Sequence, residues 1–589
     1  MARNKYNVDE ELEVGFNLSY LKRLLKYMKP YKKGIVISVT LMLLSSIISL
    51  IGPVIVKSAL DDFIPNKNIK GLIIVSIIYI LILIIVAKIM RHRMLTMGKI
   101  GQNILVDIRK DLFTNLQYVP FNYYDTRPHG KILVRVVNYV NSLSDILSNG
   151  FVNLIADMVT LIMTIVFMIF LSPKLTLITL IGVPILFAVM LSLKKRQRRA
   201  HQIVSSKQSN LNAYIHESIN GIRVTQSFSR KKESMDIFKE LCYDCSDSWM
   251  NAVKLNFLIW PSIEIISVLS VSLIYIFGIL VFDSSISVGL LTAFIAYVWI
   301  FWAPITNIGN FYNTLINAMA YLERIFEAMD EKQEYDKKDA IELKDIKGNV
   351  RFKNVYFEYE KDNPILENIN MNIKAGEKIA LVGPTGAGKT TIVNLLSRFY
   401  IIKSGEILVD GTNINDVTLK SLRKEIGVML QDPFVFSGTI MENIRYGKLD
   451  ATDEEVINAA KIVRADDFIR EFKDGYNTIL NEQGNGLSVG QKQLISFARV
   501  LLSDPKILIL DEATSSIDTE TEALLQEGIE ELLKGRTSFV IAHRLSTIIN
   551  SDKIMFIGNK SILEEGTHEE LIEKEGLYYN LYKSQYLEI

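Results

Sequence analysis

Cysteine is nearly absent from this sequence: its 589 residues include only Cys242 and Cys245, which form a single C-x-x-C pair. A secreted fold built on disulfides needs more cysteines, so that class is excluded. A zinc site would need two further ligands at suitable spacing, and the neighbouring sequence offers none. The segment around the pair has helical patterning. We therefore interpret both residues as reduced thiols on a helix.

An excess of charge is also lacking, since 66 lysines and arginines balance 65 aspartates and glutamates, leaving a net charge of +1. This balance gives no support for a nucleic-acid partner. The first thirty residues are polar and basic and contain no apolar run, so we expect no cleavable signal peptide. A chain of 589 residues is too long for one hydrophobic core, which predicts two or more domains.

Long apolar runs, by contrast, are frequent in the first 320 residues. A membrane-spanning helix needs about 20 mostly apolar residues. Buried helices of soluble proteins rarely remain uncharged over such lengths. Six segments meet the requirement and predict an all-α transmembrane domain: 35–56, 71–87, 151–171, 175–193, 256–282 and 286–305.

Basic residues indicate which side of the membrane each loop occupies. Lys88, Arg91 and Arg93 follow the second span, and a basic run at 194–199 follows the fourth. Because positive residues favour the cytoplasmic side, we expect the N-terminus and both long loops to be cytosolic. An even number of spans then places the C-terminal domain in the cytosol as well. Both loops have helical patterning and should extend the membrane helices.

The domain organisation follows from these patterns. Leu21, Leu24, Leu25 and Met28 recur at helical spacing opposite basic residues, which predicts a short amphipathic helix in the membrane interface. We expect a cytosolic N-terminus with this helix at 1–33, a transmembrane domain with two long intracellular loops at 34–322, a charged linker at 323–349 and a soluble domain at 350–589.

A phosphate-binding pattern lies at 383–390, which fits G-x-x-x-x-G-K-[ST] between a strand-like run and a helix-like run. Its glycines let backbone N–H groups surround phosphate oxygens, and the helix N-terminus favours an anion. Lys389 adds a positive charge, and Thr390 offers a hydroxyl to Mg²⁺. The expected cofactors are ATP and Mg²⁺. The expected loop residues are Gly383, Pro384, Thr385, Gly386, Ala387, Gly388, Lys389, Thr390 and Thr391.

Other residues with suitable chemistry flank this loop. Tyr359 ends a β-patterned run and could stack on adenine, although alone it would be read as a core tyrosine. Asp511 ends an apolar run and could support Mg²⁺, and Glu512 next to it could polarise the attacking water. Gln431 could reach Mg²⁺ or the water, and His543 could contact the γ-phosphate.

The order of these motifs resembles that of an ATP-binding cassette (ABC) transporter. The motifs are Tyr359, the phosphate loop, Gln431, Leu487-Ser488-Val489-Gly490-Gln491, Asp511-Glu512, Asp518 and His543. Residues 121–130 and 217–228 are similar to the family's two cytoplasmic-loop motifs. The resemblance covers nearly the whole chain. It identifies a half-transporter of the exporter class, with six transmembrane helices and one α/β P-loop ATPase domain that includes a helical subdomain.

The resemblance implies a dimer that holds two ATP molecules, each between one chain's phosphate loop and the other chain's signature sequence, here 487–491. It further implies a D-loop at Asp518 and coupling helices near 121–130 and 217–228. Catalysis would depend on Glu512, His543 and Gln431. Mg²⁺ would be held by Thr390, Gln431 and Asp511.

One position departs from the family pattern, since Val489 replaces the usual glycine of the signature. A branched side chain there should weaken the ATP site that this signature completes. Lys389, Asp511, Glu512 and His543 are all present. One intact set of hydrolytic residues beside one altered signature resembles the catalytically competent subunit of heterodimeric bacterial exporters, which implies a heterodimer with a second half-transporter. The alternative is a homodimer in which the valine is tolerated.

The signal for the transported molecule is weaker. Asn307, Asn310 and Asn313 form a polar stripe near span 6, which could line a cavity or make interhelical hydrogen bonds. Glu264 and Asp157 are intramembrane carboxylates, each costing about 2.5–3.5 kcal/mol at mid-bilayer, so each should face protein or water. Either could bind a cationic ligand on the substrate path or pair with a polar neighbour.

Taken together, these features predict an ATP hydrolase that exports amphipathic or hydrophobic compounds, of the multidrug type, by alternating access. The expected location is a bacterial cytoplasmic membrane. The alternatives are a homodimeric lipid flippase, an ATP-gated channel and a membrane sensor that transports nothing.

Overall fold

The computed structural model describes residues 18–127, 129–144, 146–281, 286–334, 336–429, 433–481, 484, 486–511, 519–541 and 545–584. The chain divides into two compact units. The first comprises Met1–Gln117 and His129–Glu331, and the second comprises Tyr118–Pro128 and Lys332–Ile589. The segment Tyr118–Pro128, which lies in a loop predicted for the transmembrane domain, therefore belongs to the same unit as the C-terminal domain.

The chain up to residue 329 is helical throughout its described length apart from short turns. The helices are α1 (Leu18–Met28), α2 (Lys32–Ser58), α3 (Ile69–Tyr118), α4 (Asn122–Asp125), α5 (His129–Val134), α6 (Val140–Ser142), α7 (Phe151–Leu171), α8 (Pro173–Leu180), α9 (Gly182–Asn220), α10 (Ile222–Ser227), α11 (Lys231–Asn256), α12 (Ile259–Ile276) and α13 (Val288–Met329).

Six helical stretches among the described residues are long and apolar enough to cross a membrane. They are Ser19–Phe63, Ile69–Tyr118, Phe151–Leu171, Pro173–Leu193, Lys231–Ile279 and Val288–Gly309. Each contains or overlaps one of the six predicted spans. Many of their large apolar side chains are exposed, as expected of helices whose solvent is lipid.

A buried core of the first unit is formed by residues of α2, α7, α8, α9, α12 and α13. Phe294 and Tyr297 of α13 are fully buried there, and the Tyr297 hydroxyl donates to the Leu50 carbonyl of α2. Gly182, the first residue of α9, lies close to side chains of α12 and α13. A Cβ atom at this position would lie 2.8 Å from Ile266 and 2.9 Å from Trp302. Small residues of this kind allow membrane helices to pack closely.

Both long loops are helical, as their patterning predicts. The second loop forms an antiparallel pair in which Lys207 of α9 donates to Asp244 of α11 at 2.7 Å. The Tyr214 hydroxyl of α9 donates to the Ser234 carbonyl at 2.8 Å. The short helices α4 and α10 lie within the two cytoplasmic-loop motifs, 121–130 and 217–228.

Helix α13 extends further than the charge pattern suggests, because it continues to Met329 and includes the first seven residues of the segment predicted as a linker. Leu322, Ile325 and Phe326 are buried at helical spacing along this extension. Their apolar stripe keeps the chain helical although charged residues lie between them.

The second unit contains the strands. They are β1 (Val350–Glu360), β2 (Asn363–Ile373), β3 (Lys378–Val382), β4 (Ser404–Val409), β5 (Thr412–Asn413), β6 (Ile426–Met429), β7 (Gly438–Thr439), β8 (Ile479–Leu480), β9 (Ile507–Asp511), β10 (Thr537–Ile541), β11 (Lys553–Gly558) and β12 (Ser561–Gly566). A central sheet has the order β12-β11-β3-β10-β9-β6, in which all neighbours are parallel except β12 and β11. An antiparallel sheet has the order β2-β1-β4-β5.

The central sheet is buried on both faces, because successive residues of each strand enter different cores. Ile379, Leu381, Ile507, Ile509, Phe539 and Ile541 contribute to the core shared with the antiparallel sheet. Ala380, Val382, Leu508, Leu510 and Val540 contribute to a core shared with helices. Such continuous apolar strands are typical of parallel sheets covered on both sides.

Helices of the second unit complete an α/β fold with a helical subdomain around α16–α19. They are α14 (Lys389–Leu396), α15 (Leu419–Glu425), α16 (Ile440–Arg445), α17 (Asp453–Ile462), α18 (Ala465–Glu471), α19 (Val489–Ser503), α20 (Thr519–Leu533), α21 (Leu545–Ile549), α22 (His568–Glu573) and α23 (Leu577–Tyr582). The predicted fold class, a helical transmembrane domain joined to an α/β domain, is confirmed.

Candidate active site

The phosphate loop connects β3 to α14 and requires glycine at two of its positions. Gly383 has φ +138° and passes so close to β11 that a Cβ atom would lie 2.1 Å from the Ile557 carbonyl oxygen. Gly388 has φ +101° and caps the N-terminus of α14. Side chains at these positions would force the loop away from the sheet. The loop therefore presents backbone N–H groups at a helix N-terminus, where an anion is favoured.

Lys389 is held inside this loop. Its Nζ donates to the carbonyl oxygens of Gly383 at 2.7 Å and Pro384 at 2.9 Å. The side chain is buried, and burial lowers the pKa of Lys389, while the nearby Asp511 carboxylate opposes that shift. The phosphate loop therefore holds the Lys389 ammonium group in place through its own carbonyl oxygens. Thr390 next to it is exposed.

The carboxyl ends of five parallel strands, β11, β3, β10, β9 and β6, lie at the edge of the sheet beside this loop. Asp511 ends β9, pairs in register with Ile541 of β10, and Ile541 pairs in turn with Leu381 of β3. This is the edge at which open α/β sheets bind ligands. Gln431, Glu512 and His543 follow β6, β9 and β10 in sequence, but these residues and Asp518 lie outside the described residues.

Tyr359 lies beside the phosphate loop, because its hydroxyl and the Thr391 hydroxyl of α14 are 3.1 Å apart. Two rings meet it edge to face: Phe357 at a centroid distance of 4.8 Å and Tyr400 at 5.0 Å. The Tyr359 side chain is still 43% exposed. An exposed, well-supported ring next to a phosphate loop can stack on the base of a nucleotide.

Tyr400 is a site residue that the sequence analysis missed. It supports Tyr359 on one side, and on the other its hydroxyl donates to Asp125 of α4. Phe121 also contacts Tyr400 edge to face, at a centroid distance of 6.3 Å. The adjacent aromatic residues Phe399 and Tyr400, shortly after the end of α14, were the signal in the sequence. Its partner in the loop, some 275 positions away, could not be read from spacing.

The signature sequence forms the N-terminus of α19. Ser488 caps the helix by accepting from the Gln491 backbone at 3.2 Å, and the Gln491 side chain accepts from the Ser488 backbone at 2.9 Å. Leu487 and Gly490 are buried, whereas Val489 is 52% exposed. Val489 is the first helical residue and has an ordinary helical conformation. Within this chain, therefore, the valine causes no backbone strain, and its effect concerns only what binds to the exposed helix end.

The predicted substrate stripe is partly described. The Asn307 side chain is exposed, and its Nδ2 donates to Asp157 Oδ1 of α7 at 3.3 Å. It therefore makes an interhelical hydrogen bond while remaining accessible. Asn310 and Asn313 lie in α13, but their side chains are outside the described part. Glu264 lies in α12 and is half-buried, at the margin between the packed and exposed faces of that helix.

Comparison with protein families matches two profiles in succession. The profile described as ABC transporter transmembrane region covers residues 35–305. The profile described as ABC transporter covers residues 366–515. The matched segments fall on the apolar helices and on the domain that carries the phosphate loop.

The similarity to known proteins extends over nearly the full chain. An uncharacterized ABC transporter ATP-binding protein of Bacillus subtilis, YknV, is 42% identical over 100% of this chain and 98% of its own length. An ATP-dependent lipid A-core flippase of Syntrophus aciditrophicus is 34% identical over 100% of this chain and 98% of its own length. A bacterial Atm1-family ABC exporter structure with ATP bound has a TM-score of 0.80 and 26% identity, and the match covers 94% of this chain and 98% of that one.

Proposed function

The chain belongs to the ABC transporter family as an exporter half-transporter, and from this premise we propose that it exports amphipathic or hydrophobic compounds by alternating access. Its general activity is ATP-driven export, with ATP hydrolysis coupled to transport. One observation carries the proposal: a phosphate loop with a buried lysine, next to Asp511 at the sheet edge, is fused to six membrane-spanning stretches among the described residues.

The phosphate loop binds the nucleotide in this proposal. Backbone N–H groups of 383–388 and the N-terminus of α14 bind the phosphate oxygens. Lys389, which donates to two loop carbonyl oxygens without nucleotide, donates to the phosphate oxygens instead. Tyr359 stacks on adenine and is kept in place by Tyr400. These residues position ATP, which is most of what phosphoryl transfer requires of a protein.

Mg²⁺ fits the donors available at this edge. The exposed Thr390 hydroxyl and the Asp511 carboxylate are the hard oxygen ligands that this ion prefers. Gln431 is proposed as a third ligand. When bound, the ion would neutralise charge on the phosphates.

Catalysis is assigned to residues that follow the strand ends. Glu512 polarises the attacking water, Gln431 helps to orient it, and His543 contacts the γ-phosphate. The assignment is supported by the common edge at which β6, β9 and β10 end and by Asp511, the residue before Glu512.

A dimer completes the ATP sites, each with the exposed helix end at 487–491 of the opposite chain and with Asp518 at the interface. The positive end of α19 suits it to an anion, and the Ser488 hydroxyl, which accepts from the Gln491 backbone, still has a proton to donate. The expectation of a different partner chain rests on Val489, on the intact hydrolytic residues and on the resemblance to heterodimeric exporters. Because Val489 adopts an ordinary helical conformation, a second copy of this chain is also consistent with the geometry.

The membrane arrangement is proposed from the basic residues. The N-terminus, both long loops and the ATPase domain face the cytosol of a bacterial cell, and the six spans cross its cytoplasmic membrane. The proposed domain boundaries are those of the sequence analysis, a linker at 323–349 and an ATPase domain at 350–589, although helix α13 extends into the linker as far as Met329.

A lipid flippase is the second candidate, and one observation favours it: the 34% identity to an ATP-dependent lipid A-core flippase over the full chain. Both candidates move amphipathic molecules, and they differ in whether the molecule is a bilayer lipid. Stimulation of ATP hydrolysis by added lipids or by soluble amphipaths, measured at constant protein concentration, distinguishes them.

The catalytic assignment is tested with Glu512→Gln in the purified transporter. A positioned base contributes roughly 10²–10⁴-fold, so ATP turnover should fall by that factor while ATP binding persists and closed dimers accumulate. Glu522→Gln in α20 is the control and should retain turnover. Turnover near the wild-type rate in Glu512→Gln would refute the role of Glu512.

The partner is identified by tagging this chain in its native host, purifying it gently and weighing the intact complex. A second half-transporter in equal amount would support two unequal ATP sites and give Val489 a functional meaning. Only copies of this chain would establish a homodimer in which the valine is tolerated.

A further inference from the structure

Opposite charges from two helices lie close together in the first unit, outside the ATP site. Arg93 belongs to α3, just beyond the second predicted span, and Asp157 belongs to α7, two turns into the third. Asn153 lies one helical turn before Asp157 on α7, so the hydrogen bond from Arg93 to Asn153 brings the guanidinium to the helix face that carries Asp157. Asn307 of α13 and Asn153 of α7 complete the group. We call these four residues the polar cluster.

The two charges do not form an ion pair. Asp157 Oδ1 accepts from Asn307 Nδ2 at 3.3 Å, and Arg93 Nη1 donates to Asn153 Oδ1 at 3.2 Å. No Arg93 nitrogen lies within 4.0 Å of an Asp157 oxygen, although both residues are among those described. Each charge is therefore held by an asparagine, and a gap remains between cation and anion.

Much of the hydrogen-bonding capacity of the cluster is left for another molecule. The Asp157 carboxylate can accept several hydrogen bonds and the guanidinium has five N–H donors, of which the asparagines use one each. Arg93 and Asp157 are half-buried, and Asn307 is exposed. The cluster is thus accessible and incompletely satisfied.

Two opposite charges at a membrane boundary attract each other strongly when water is scarce. Keeping them apart requires other contacts, which the asparagines provide. A group with one positive and one negative charge could bridge the gap, with its cation on Asp157 and its anion on Arg93. A ligand with only one charge would satisfy one residue and be repelled by the other.

We propose that the polar cluster binds the headgroup of a zwitterionic amphipath, through an ammonium group on Asp157 and an anionic oxygen group on Arg93. This inference rests on the proposed export function, because it names the chemistry of the molecule that the membrane helices receive. Asn307 and Asn153 position the two charges. The cluster lies at the end of the spans that carries the basic residues, so the headgroup would enter from the cytosolic side.

The test measures binding directly in ATP-free transporter in nanodiscs of phosphatidylglycerol. The probes share one tail: dodecyl phosphoethanolamine is zwitterionic, dodecyl phosphate is anionic and dodecylammonium is cationic. Wild-type protein should bind the zwitterion more tightly than either single-charge probe, by roughly the 10- to 100-fold that one charge-assisted hydrogen bond supplies.

Single substitutions should change the preference in opposite ways. The Asp157→Asn variant should bind the zwitterion no more tightly than the anion. The Arg93→Gln variant should bind the zwitterion no more tightly than the cation. Arg91→Gln, which removes a positive charge two residues away on α3, is the matched control and should bind all three probes as wild type does. Ratios of affinities within each variant do not depend on the fraction of folded protein.

Equal binding of the three probes to wild type, or unchanged ratios in both variants, would overturn the proposal. The headgroup could belong to a bilayer lipid or to a soluble amphipath, and diacyl phosphatidylethanolamine added to the nanodisc distinguishes the two. If this lipid competes with the probe, the occupant is a bilayer lipid. Transport assays separate this inference from its premise. Export that persists with unchanged ratios refutes the cluster alone, whereas changed ratios in a protein that transports nothing refute export alone.

Discussion

Tyr359 illustrates, at the scale of a single residue, how neighbours convert an ordinary side chain into a binding group. Alone in a β-patterned run, it would be read as part of a core. Its hydroxyl contact with Thr391 and the edge-on contacts with Phe357 and Tyr400 instead leave one part of the ring exposed beside the phosphate loop. The ring is thereby ordered before a nucleotide binds, which lowers the entropic cost of stacking.

Removing this ring should weaken ATP binding with little effect on the chemical step. Aromatic pairs contribute about 0.5–1.5 kcal/mol, so Tyr359→Ala should raise the KM for ATP by roughly 2- to 12-fold while kcat changes less. Tyr359→Phe keeps the ring, loses only the contact with Thr391 and serves as the control. Steady-state ATPase kinetics give both constants. A KM that is equal in Tyr359→Ala and wild type would exclude stacking.

The sequence could predict the residues of the phosphate loop, because their spacing follows from one local structure. It could not predict Tyr400 or the contact between Asn307 and Asp157, since those depend on how distant segments pack. The Asn307 stripe left two interpretations open. The structure shows that an accessible side chain and an interhelical hydrogen bond coexist at that residue.

At the scale of elements, short contacts between helix ends fix how neighbouring helices pack. The end of α2 continues into Asp61, whose carboxylate accepts from the Ser287 hydroxyl at 2.5 Å and from the Gly289 backbone at 2.8 Å. These contacts hold the N-terminus of α13 against the first span. They are also favourable because a carboxylate at a helix N-terminus interacts with the helix dipole.

Gly289→Ala should disrupt this junction. The added Cβ would lie 2.5 Å from Asp61 Oδ1 and 2.6 Å from the Lys57 carbonyl oxygen, so the helices must separate. Overpacking of this kind costs about 1–3 kcal/mol and should lower the melting temperature in nanodiscs. Gly309→Ala in the same helix is the control, because its nearest neighbour would be Met190 Cε at 3.8 Å. Equal melting temperatures for the two variants would contradict the predicted clash.

Asp410 holds the start of β1 in the second unit. Its carboxylate accepts from the backbone N–H groups of Lys347 at 2.6 Å, Gly348 at 3.1 Å and Asn349 at 2.9 Å. Burial alone would raise the pKa of Asp410, but these hydrogen bonds and one from the Asn349 side chain outweigh burial and lower the pKa. The charged form is therefore favoured by folding.

Asp410→Asn should consequently lower the melting temperature at neutral pH, since hydrogen bonds to a charged group contribute about 1.5–3 kcal/mol. The folded pKa lies below the unfolded value of about 3.9, so this stabilisation is complete above that value and is lost as pH falls through the folded pKa. The gap between wild type and variant should thus be constant from about pH 6 to 8 and shrink below about pH 4. A gap that does not change with pH would contradict the assignment.

Asp416→Asn is the matched control for this prediction. Asp416 pairs with Lys337 at 2.6 Å, but both side chains are more than half exposed. An exposed ion pair contributes about 0–1 kcal/mol, so its loss should hardly change the melting temperature.

At the scale of elements, the sequence could predict the six spans and the α/β domain, because both leave long apolar patterns. It did not predict that α13 would continue to Met329, since charged residues conceal the buried stripe of Leu322, Ile325 and Phe326. Nor could it predict that Tyr118–Pro128 would belong to the second unit, because that grouping arises from contacts such as Tyr400 with Asp125.

For the whole molecule, the central question is how the proposed ATP site of one chain is completed. The phosphate loop, Tyr359 and the exposed N-terminus of α19 all belong to the second unit. In the proposed dimer, each chain would supply one half of each of two sites. Val489 is the residue at which the two sites could differ. Because Val489 has an ordinary helical conformation, Val489→Gly relieves no backbone strain and should not raise the melting temperature. If the valine weakens the ATP site that it faces, the same variant should raise ATP turnover in a steady-state assay.

ATP-driven movement of an amphipathic molecule across a membrane is the most direct test of the account. The transporter, purified with any subunit that accompanies it, is reconstituted into inside-out vesicles and supplied with rhodamine 6G or a fluorescent phospholipid. We predict accumulation or flipping that requires ATP and falls at least about 10²-fold in Glu512→Gln. Brisk ATP hydrolysis without movement of either probe would contradict export and favour a channel or a sensor.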